Sequence, residues 1–403
     1  VRLLHTSDWH LGRGLGGHDL SAAQEAAVGA IIDLAIEREV QAFVIAGDVF
    51  DRAFPSVEDV RALNRAFTRI HAAGIRLIVT AGNHDEGARL AAFRNLLDDS
   101  VCIVGEYDQV GTAVELHDEH GPVVFYPLPY LDPDGARRAL APAPEQLLGR
   151  THEAVMAEAM RRVREDLVLR KAATPGTRAV VIAHAFVVTG KETPQEVEAE
   201  QSDSERDLSV GGLPTVPSAV FEGVDYVALG HLHGPRQVGG GESPHIRYSG
   251  SILRYSISEA MHEKSCTIVE IDAYGACTVE TVPIPQPAAM ARLRGTLAEL
   301  CSDTHASHAD DYVELLLTDV RLPDNYYAQL TERFARILNV NRERQAPGAD
   351  GYGDSASGAG TPVVTPMDTM QNFYKNSTGA EPDEAVVAIL QDVLERAQKS
   401  AEA

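Results

Sequence analysis

What most constrains this chain is the way its apolar strands end. Five runs, "RLLHTS", "QAFVIAG", "RLIVTAG", "RAVVIA" and "VDYVALG", break off into a narrow set of side chains. In order these are Asp8-x-His10, Gly47-Asp48, Gly82-Asn83-His84-Asp85, His184 and Gly230-His231-x-His233. A strand that only has to turn ends in Gly, Asn, Asp or Ser. One strand-end histidine is more often a packed core residue, but that account fails for the whole ordered set. In an open parallel sheet, ligands bind beyond the carboxyl ends of the strands, so groups far apart in sequence can converge there.

The stretches between these strands set the fold class. Helical patterns over Ser21 to Glu37 and Ser56 to Ala73 alternate with the first three strands, which reads as a parallel α/β sheet. Further on, "AVELHD" with "PVVFYP" and "SCTIVEI" with "CTVETVPI" predict two hairpins, and a charged helix covers Arg150 to Lys171. The expected fold is therefore α/β, a two-sheet sandwich flanked by helices. Thr189 to Gly212 is acidic and polar and predicts a loop, and "GGGESP" a turn.

The stretch "PIPQP" after Pro283 predicts a domain boundary. Beyond it the pattern reads helix ("AAMARLRGTLAEL"), strand ("YVELLLTD"), turn, helix ("YYAQLTERFARI") and short strand, a small α/β module. Gln345 to Pro362 is Gly/Ala/Ser-rich and cannot bury a core. Val386, Ile389, Leu390, Val393 and Leu394 then form an apolar stripe at helical spacing, after a Pro and acidic residues suited to a helix start. That stripe needs a surface, either on its own domain or on a partner. The expected division is 1–283, a catalytic domain; 284–344, the α/β module; 345–363, a linker; and 364–403, a helical tail.

Composition narrows the functions. The formal net charge of −24, from 35 basic and 59 acidic residues, argues against a surface that coats nucleic acid unaided. It does not exclude a phosphate substrate, because screening acts over about 8 Å and bound cations can dominate a local site. Four cysteines, Cys102, Cys266, Cys277 and Cys301, make no CxxC pair and predict reduced thiols. With no spanning apolar run and no signal-peptide pattern, a cytoplasmic location and no membrane partner are expected.

The strand-end residues suit a pair of divalent ions. Carboxylates and an amide oxygen favour a hard ion such as Mn²⁺, and imidazoles fit Mn²⁺, Fe²⁺ or Zn²⁺ better than Mg²⁺. Two metals about 3.5–4 Å apart need a bridging carboxylate. Asp48 is the natural bridge, with Gly47 before it allowing close approach. Each ion then keeps an open position for water or phosphate.

These ordered motifs resemble those of the calcineurin-like metallophosphoesterases. "HTSDWHLGR", "AGDVFDR", "AGNHD", "SERDLSVGG", "DYVALGHLHGPR" and "IRYSGSILRYSISEA", spread over most of 1–283, resemble more closely the SbcD-type bacterial nuclease subunits of that family. The α/β module and the tail are similar, more weakly, to that group's capping domain and partner-binding tail.

The resemblance implies two divalent ions, with Mn²⁺ the expected metal. One is held by Asp8, His10, Asp48 and His233, and the second by Asp48, Asn83, His184 and His231. His231 and His233 would each serve one metal, aimed by a tight turn at Gly230. His84 would face the scissile phosphate as a catalytic group, with Asp85 orienting it or serving as a loop carboxylate. Asp51 stands where archaeal and eukaryotic relatives often place a second histidine. The implied activity is exonuclease and endonuclease cleavage of DNA ends and hairpins in repair and recombination, in a dimer of nuclease subunits bound to two SbcC-type ATPase subunits. The chain has no G-x-x-x-x-G-K-[ST] loop, so ATP would act through that partner. A phosphomonoesterase or cyclic-nucleotide phosphodiesterase on the same metal site, and a non-catalytic scaffold, are the rival readings.

Overall fold

The structure, a computed structural model, describes residues 1–190, 215–240 and 244–343, together with 382, 386–387 and 389–391. Among these residues two six-stranded sheets carry the fold. The first has the order β14 (Cys277–Pro283), β13 (Ser265–Ile271), β1 (Arg2–Thr6), β2 (Ala42–Ala46), β3 (Arg76–Thr80), β4 (Val101–Val104). The second runs β11 (Arg236–Val238), β12 (His245–Tyr248), β10 (Tyr226–Gly230), β7 (Arg178–His184), β6 (Gly121–Pro127), β5 (Val114–Asp118). A two-stranded ribbon pairs β8 (Phe186–Val188) with β9 (Thr215–Pro217).

The expected parallel sheet holds at the centre of each layer and gives way at the edges. β1 to β4 are parallel, as are β6, β7, β10 and β12, while β13, β14, β5 and β11 pair antiparallel. Both predicted hairpins form. The central strands read as unbroken apolar runs because both faces are covered. Along β2, Ala42, Val44 and Ala46 enter the layer shared with Phe125, Val180, Ile182 and Ala228 of the other sheet. The alternate Phe43 and Ile45 pack under the helices α1 (Ser21–Glu37) and α2 (Val57–Ala72). Ser56 caps α2 in a reciprocal box with Asp59. On the far side, the helix His152–Ala173 covers Val181 and Val227 through Val155, Ala159 and Val163.

One predicted element is corrected. "AAMARLRG" is not helical; Met290–Gly295 is a strand, β15, parallel to β16 (Tyr312–Leu317), which pairs with β17 (Arg336–Arg342). Ala, Met, Leu and Arg favour helices intrinsically, but here burial alternates. Leu293 and Gly295 are buried while Arg292 and Arg294 are exposed, the period of a strand, and Arg292 pairs across to Glu314 at 2.6 Å. The helix starts only at Leu297, under a capping box between Thr296 and Glu299. This three-stranded sheet has its own core of Leu293, Leu300, Val313, Leu315, Leu330 and Phe334. Residues 1–344 form one compact unit. In the second unit, 386–387 and 389–391 are helical. "SERDLSVGG", the 345–363 linker and most of the tail lie outside the described residues.

Candidate metal centre

The ends of β1, β2, β3, β7 and β10 meet where the two sheets touch at Gly230 and Ala46. Asp8, His10, Asp48, His184, His231 and His233 are all buried there, and Asn83 and His84 are partly so. All nine residues singled out from the sequence lie in this one region. Four of the five described non-glycine residues with positive φ belong to it: Asp8 (51°), His10 (45°), Asp48 (50°) and His231 (108°). Such conformations cost about 1–3 kcal/mol each and collect at functional sites.

Two glycines permit the approach. A Cβ on Gly47 (φ 83°) would meet His184 Nδ1 at 2.3 Å, and one on Gly230 would meet the Ala46 carbonyl oxygen at 1.8 Å. The expected tight turn at Gly230 is thereby corrected. His231 carries the left-handed backbone, and Gly230 serves the contact between the two sheets. His5, inside β1, has no place in the centre: its ring nitrogens take Tyr226 Oη (3.0 Å) and the Leu229 carbonyl (3.1 Å), tying the sheets together.

The polar atoms fall into two groups around one carboxylate. Asp48 Oδ2 lies 3.6 Å from His10 Nε2 and 3.4 Å from His184 Nε2. On the His10 side, His233 Nε2 is 3.1 Å from His10 Nε2, and Asp8, His10 and His233 offer ligand atoms all within 4.8 Å of one another. Asp8 lies within the same reach of Asp48 and His184, and so stands between the two groups. On the His184 side, Asn83 Oδ1 lies 2.9 Å from His184 Nε2 and 3.2 Å from His231 Nδ1. Asp8 is fixed by Ser7 Oγ (2.5 Å) and by the His231 backbone N–H (3.1 Å).

The chemistry of these atoms fits a cation. His184 Nδ1 donates to the Ala46 carbonyl at 2.9 Å, so a neutral His184 turns a lone pair toward Asn83 Oδ1 and Asp48 Oδ2. His233 Nδ1 donates to Glu259 Oε1 at 3.1 Å, so its Nε2 lone pair faces His10 Nε2. A neutral His10 satisfies that lone pair only if its ring carries its proton on Nε2. Around neutral His184 the lone pairs of Nε2, Asn83 Oδ1 and Asp48 Oδ2 converge in a buried place and need a positive charge between them. From the protein's own charges, that demand falls on His184. Burial opposes its protonation, but Asp48, Asp8 and the Ala46 carbonyl together outweigh burial and push the pKa up to about 9. Burial holds His10 and His231 down to about 3, the neutral form that ligates metal. Burial raises Asp8 to about 6 against the pull of His184 and His233. Burial works on Asp48 in the same direction, but there the adjoining His184, with His10, prevails and holds the carboxyl well below its ordinary value.

His84 sits at the rim. Its backbone N–H donates to Asp48 Oδ1 (2.9 Å), its Nδ1 donates to the Asp51 carbonyl (2.9 Å), and its ring meets His10 edge-on at 4.7 Å. This leaves Nε2 as the free nitrogen, beside a cleft of about 830 Å³ that Asn83, His84, Tyr107 and Tyr130 help line. His84 also lies within ligand reach of His10 and Asp48. Asp85 is not placed to orient the ring. Its carboxylate accepts backbone N–H groups from Gly82 (2.9 Å), Val49 (3.1 Å) and Phe50 (2.9 Å), locking the two strand-end loops together. Its expected catalytic role is replaced by this structural one.

The sequence matches the calcineurin-like phosphoesterase family over residues 1–235. It is 30% identical over 301 residues to the SbcD component of the nuclease SbcCD from Escherichia coli (strain K12), covering 74% of this chain and 72% of that protein. The chain is a calcineurin-like phosphoesterase of the SbcD type. Among solved structures, a Danio rerio dimetal phosphatase covers 71% of this chain and 96% of its own at 12% identity and a TM-score of 0.43. Thermus thermophilus TT1561 covers 70% and 99% at 13% identity and 0.39. Both likenesses are too slight to bear on function.

As a phosphoesterase of this type, the chain has groups that reasoning from strand ends missed. Glu259 and Lys264, fully buried, stand behind His233. Gln24 holds the Asp8–Gly12 loop by donating to the His10 carbonyl (2.7 Å) and accepting from Gly12 N–H (3.2 Å). Glu259 falls inside "IRYSGSILRYSISEA", where nothing marks its role, and Gln24 and Lys264 each stand beside a charged residue with no signal of their own. Among the described residues, no helix is long and apolar enough to cross a membrane.

Proposed function

We propose that this chain is a two-metal phosphodiesterase that cleaves DNA. The observation that carries the reading is the place of Asp48 Oδ2, within 3.6 Å of His10 on one side and 3.4 Å of His184 on the other. One ion, Mn²⁺ by its ligand chemistry, would be held by Asp8, His10, Asp48 and His233, and the second by Asp48, Asn83, His184 and His231. Bound ions would neutralise phosphate oxygens and lower the pKa of water. The protein's own contribution is to fix seven donors on two rigid sheets and to keep His10 and His231 neutral by burial. His84, with its ring locked through Nδ1, would donate from Nε2 to the phosphate or the leaving oxygen in its doubly protonated form.

DNA as substrate, and an SbcC-type ATPase as partner, rest on the likeness to the E. coli nuclease component and on a tail whose apolar stripe needs a surface. A homodimer within a larger assembly, acting on DNA ends and hairpins in repair and recombination, belongs to the same reading. So does the division at 283, with the α/β module as a cap and 364–403 as the docking tail.

The test is cleavage of end-labelled duplex and hairpin DNA by the full chain, with and without an SbcC-type ATPase, in Mn²⁺, Mg²⁺ or chelator. A small phosphomonoester and a cyclic nucleotide are assayed in parallel. Metal-dependent DNA cleavage supports the reading. Turnover of the small substrates alone, with DNA untouched, overturns it in favour of a small-molecule phosphoesterase.

A further inference from the structure

Glu259 and Lys264 form an ion pair at 2.6 Å with neither side chain exposed to solvent. Burying such a pair costs more than burying apolar residues of the same size, so its presence calls for a use. Every atom of it is committed. Glu259 Oε1 accepts from His233 Nδ1 (3.1 Å), and Oε2 accepts from Lys264 Nζ (2.6 Å) and from the Tyr255 backbone N–H (3.2 Å). Lys264 Nζ also donates to the His233 carbonyl (2.8 Å) and to Ser251 Oγ (2.8 Å). The pair therefore grips His233 twice, by its ring and by its backbone.

We infer that Glu259, held by Lys264, is a positioning residue for the His233-bearing metal site: it keeps the proton of that imidazole on Nδ1 and so presents Nε2 to the ion. A histidine ligand whose other nitrogen donates to a carboxylate is fixed in tautomer and orientation and is a stronger ligand, and loss of such a partner typically weakens metal binding about 10- to 100-fold. His184 is not served in this way, since its Nδ1 donates to the Ala46 backbone carbonyl. The effect should be confined to one of the two sites. The inference rests on the two-metal reading above.

The experiment is Mn²⁺ calorimetry on the full chain, with thermal melts in chelator. Removing Glu259 alone would strand a buried ammonium, so the pair is replaced together. In Glu259→Leu/Lys264→Met the acceptor is gone and the buried charges with it. In Glu259→Gln/Lys264→Met an amide oxygen still accepts from His233. The first variant should keep its chelator melt near wild type, lose about 10- to 100-fold in affinity for one metal equivalent and keep the other. The second should recover most of the loss. If the wild-type chain binds no second equivalent, the two-metal reading fails. If wild type binds two and the Leu/Met variant binds both as tightly, or loses both equally, the positioning role is refuted. A lowered chelator melt with unchanged metal binding would show a purely structural pair.

Discussion

The imidazoles on the two sides of Asp48 are held by different kinds of partner. Behind His233 stands the Glu259 carboxylate, hydrogen-bonded at 3.1 Å, while His10 Nδ1 only faces the Asp51 carboxylate at 3.6 Å, beyond a hydrogen bond. Behind His184 stands a backbone carbonyl, that of Ala46, brought within reach because Gly47 and Gly230 have no side chains. His231, for its part, has its backbone N–H on Asp8 and its Nδ1 toward Asn83. One side can thus be retuned by exchanging side chains. On the other, the orientation of the His184 ring is set by how closely two strands pass, and it changes when the sheets move.

Among the variants that leave both ions in place, the largest expected effect falls on a residue outside both ligand sets. His84→Gln should retain two metal equivalents and DNA affinity while turnover drops about 10²- to 10⁴-fold, measured by single-turnover cleavage beside elemental analysis. Loss of one equivalent instead would make His84 a ligand, as its reach to His10 and Asp48 allows, and the partition between the two sides would have to be redrawn.

Metal linkage comes next. Mn²⁺ at a hundred times its Kd should add about 2.7 kcal/mol of stability per site. His10→Ala and His184→Ala should each forfeit one site's share in denaturant titrations with and without chelator. If either variant forfeits both shares, the two sides do not bind independently.

Gly230→Ala probes the backbone-held side alone. With the Ala46 oxygen 1.8 Å from the new Cβ, the strands must part, costing about 1–3 kcal/mol, visible as a lowered melt in chelator. Metal binding at the His184 side should weaken while the His233 side keeps its affinity. Weakening of the His233 side instead would show that the distinction between the sides is unsound. The smallest effect is expected of Asp51→Asn, since Asp51 is partly exposed and its contact with His10 is long. About a tenfold loss of Mn²⁺ affinity, confined to one equivalent, is the expected calorimetric result.

The sequence disclosed the centre more fully than it disclosed what supports it. β1, β2, β3, β7 and β10 were legible because strands covered on both faces are unbroken apolar runs, and their ends stand out by residue type. β15 was misread because Ala, Met, Leu and Arg carry helix propensity, and only pairing with β16 decides otherwise. β4, β11 and β12 are three or four residues long and leave no periodicity to count. Glu259 lies within the quoted "IRYSGSILRYSISEA", but its role was hidden for another reason. It lies in a Ser-rich turn of 3-10 helix, and only the return of the chain from β10 through β12 brings it behind His233. Gly230 was noticed for a turn, but its contact with Ala46 joins the two sheets and no local pattern encodes it.

The central claim is that one carboxylate serves two ions, and Mn²⁺ stoichiometry of the full chain with Asp48→Asn tests it most directly. Asp48 Oδ2 faces both histidine groups, so removing its charge should lower affinity at both sites together. The account predicts two equivalents bound by the wild-type chain and a weakening of both in the variant, with DNA cleavage abolished. Two equivalents retained at wild-type affinity, or the loss of one alone, would contradict it.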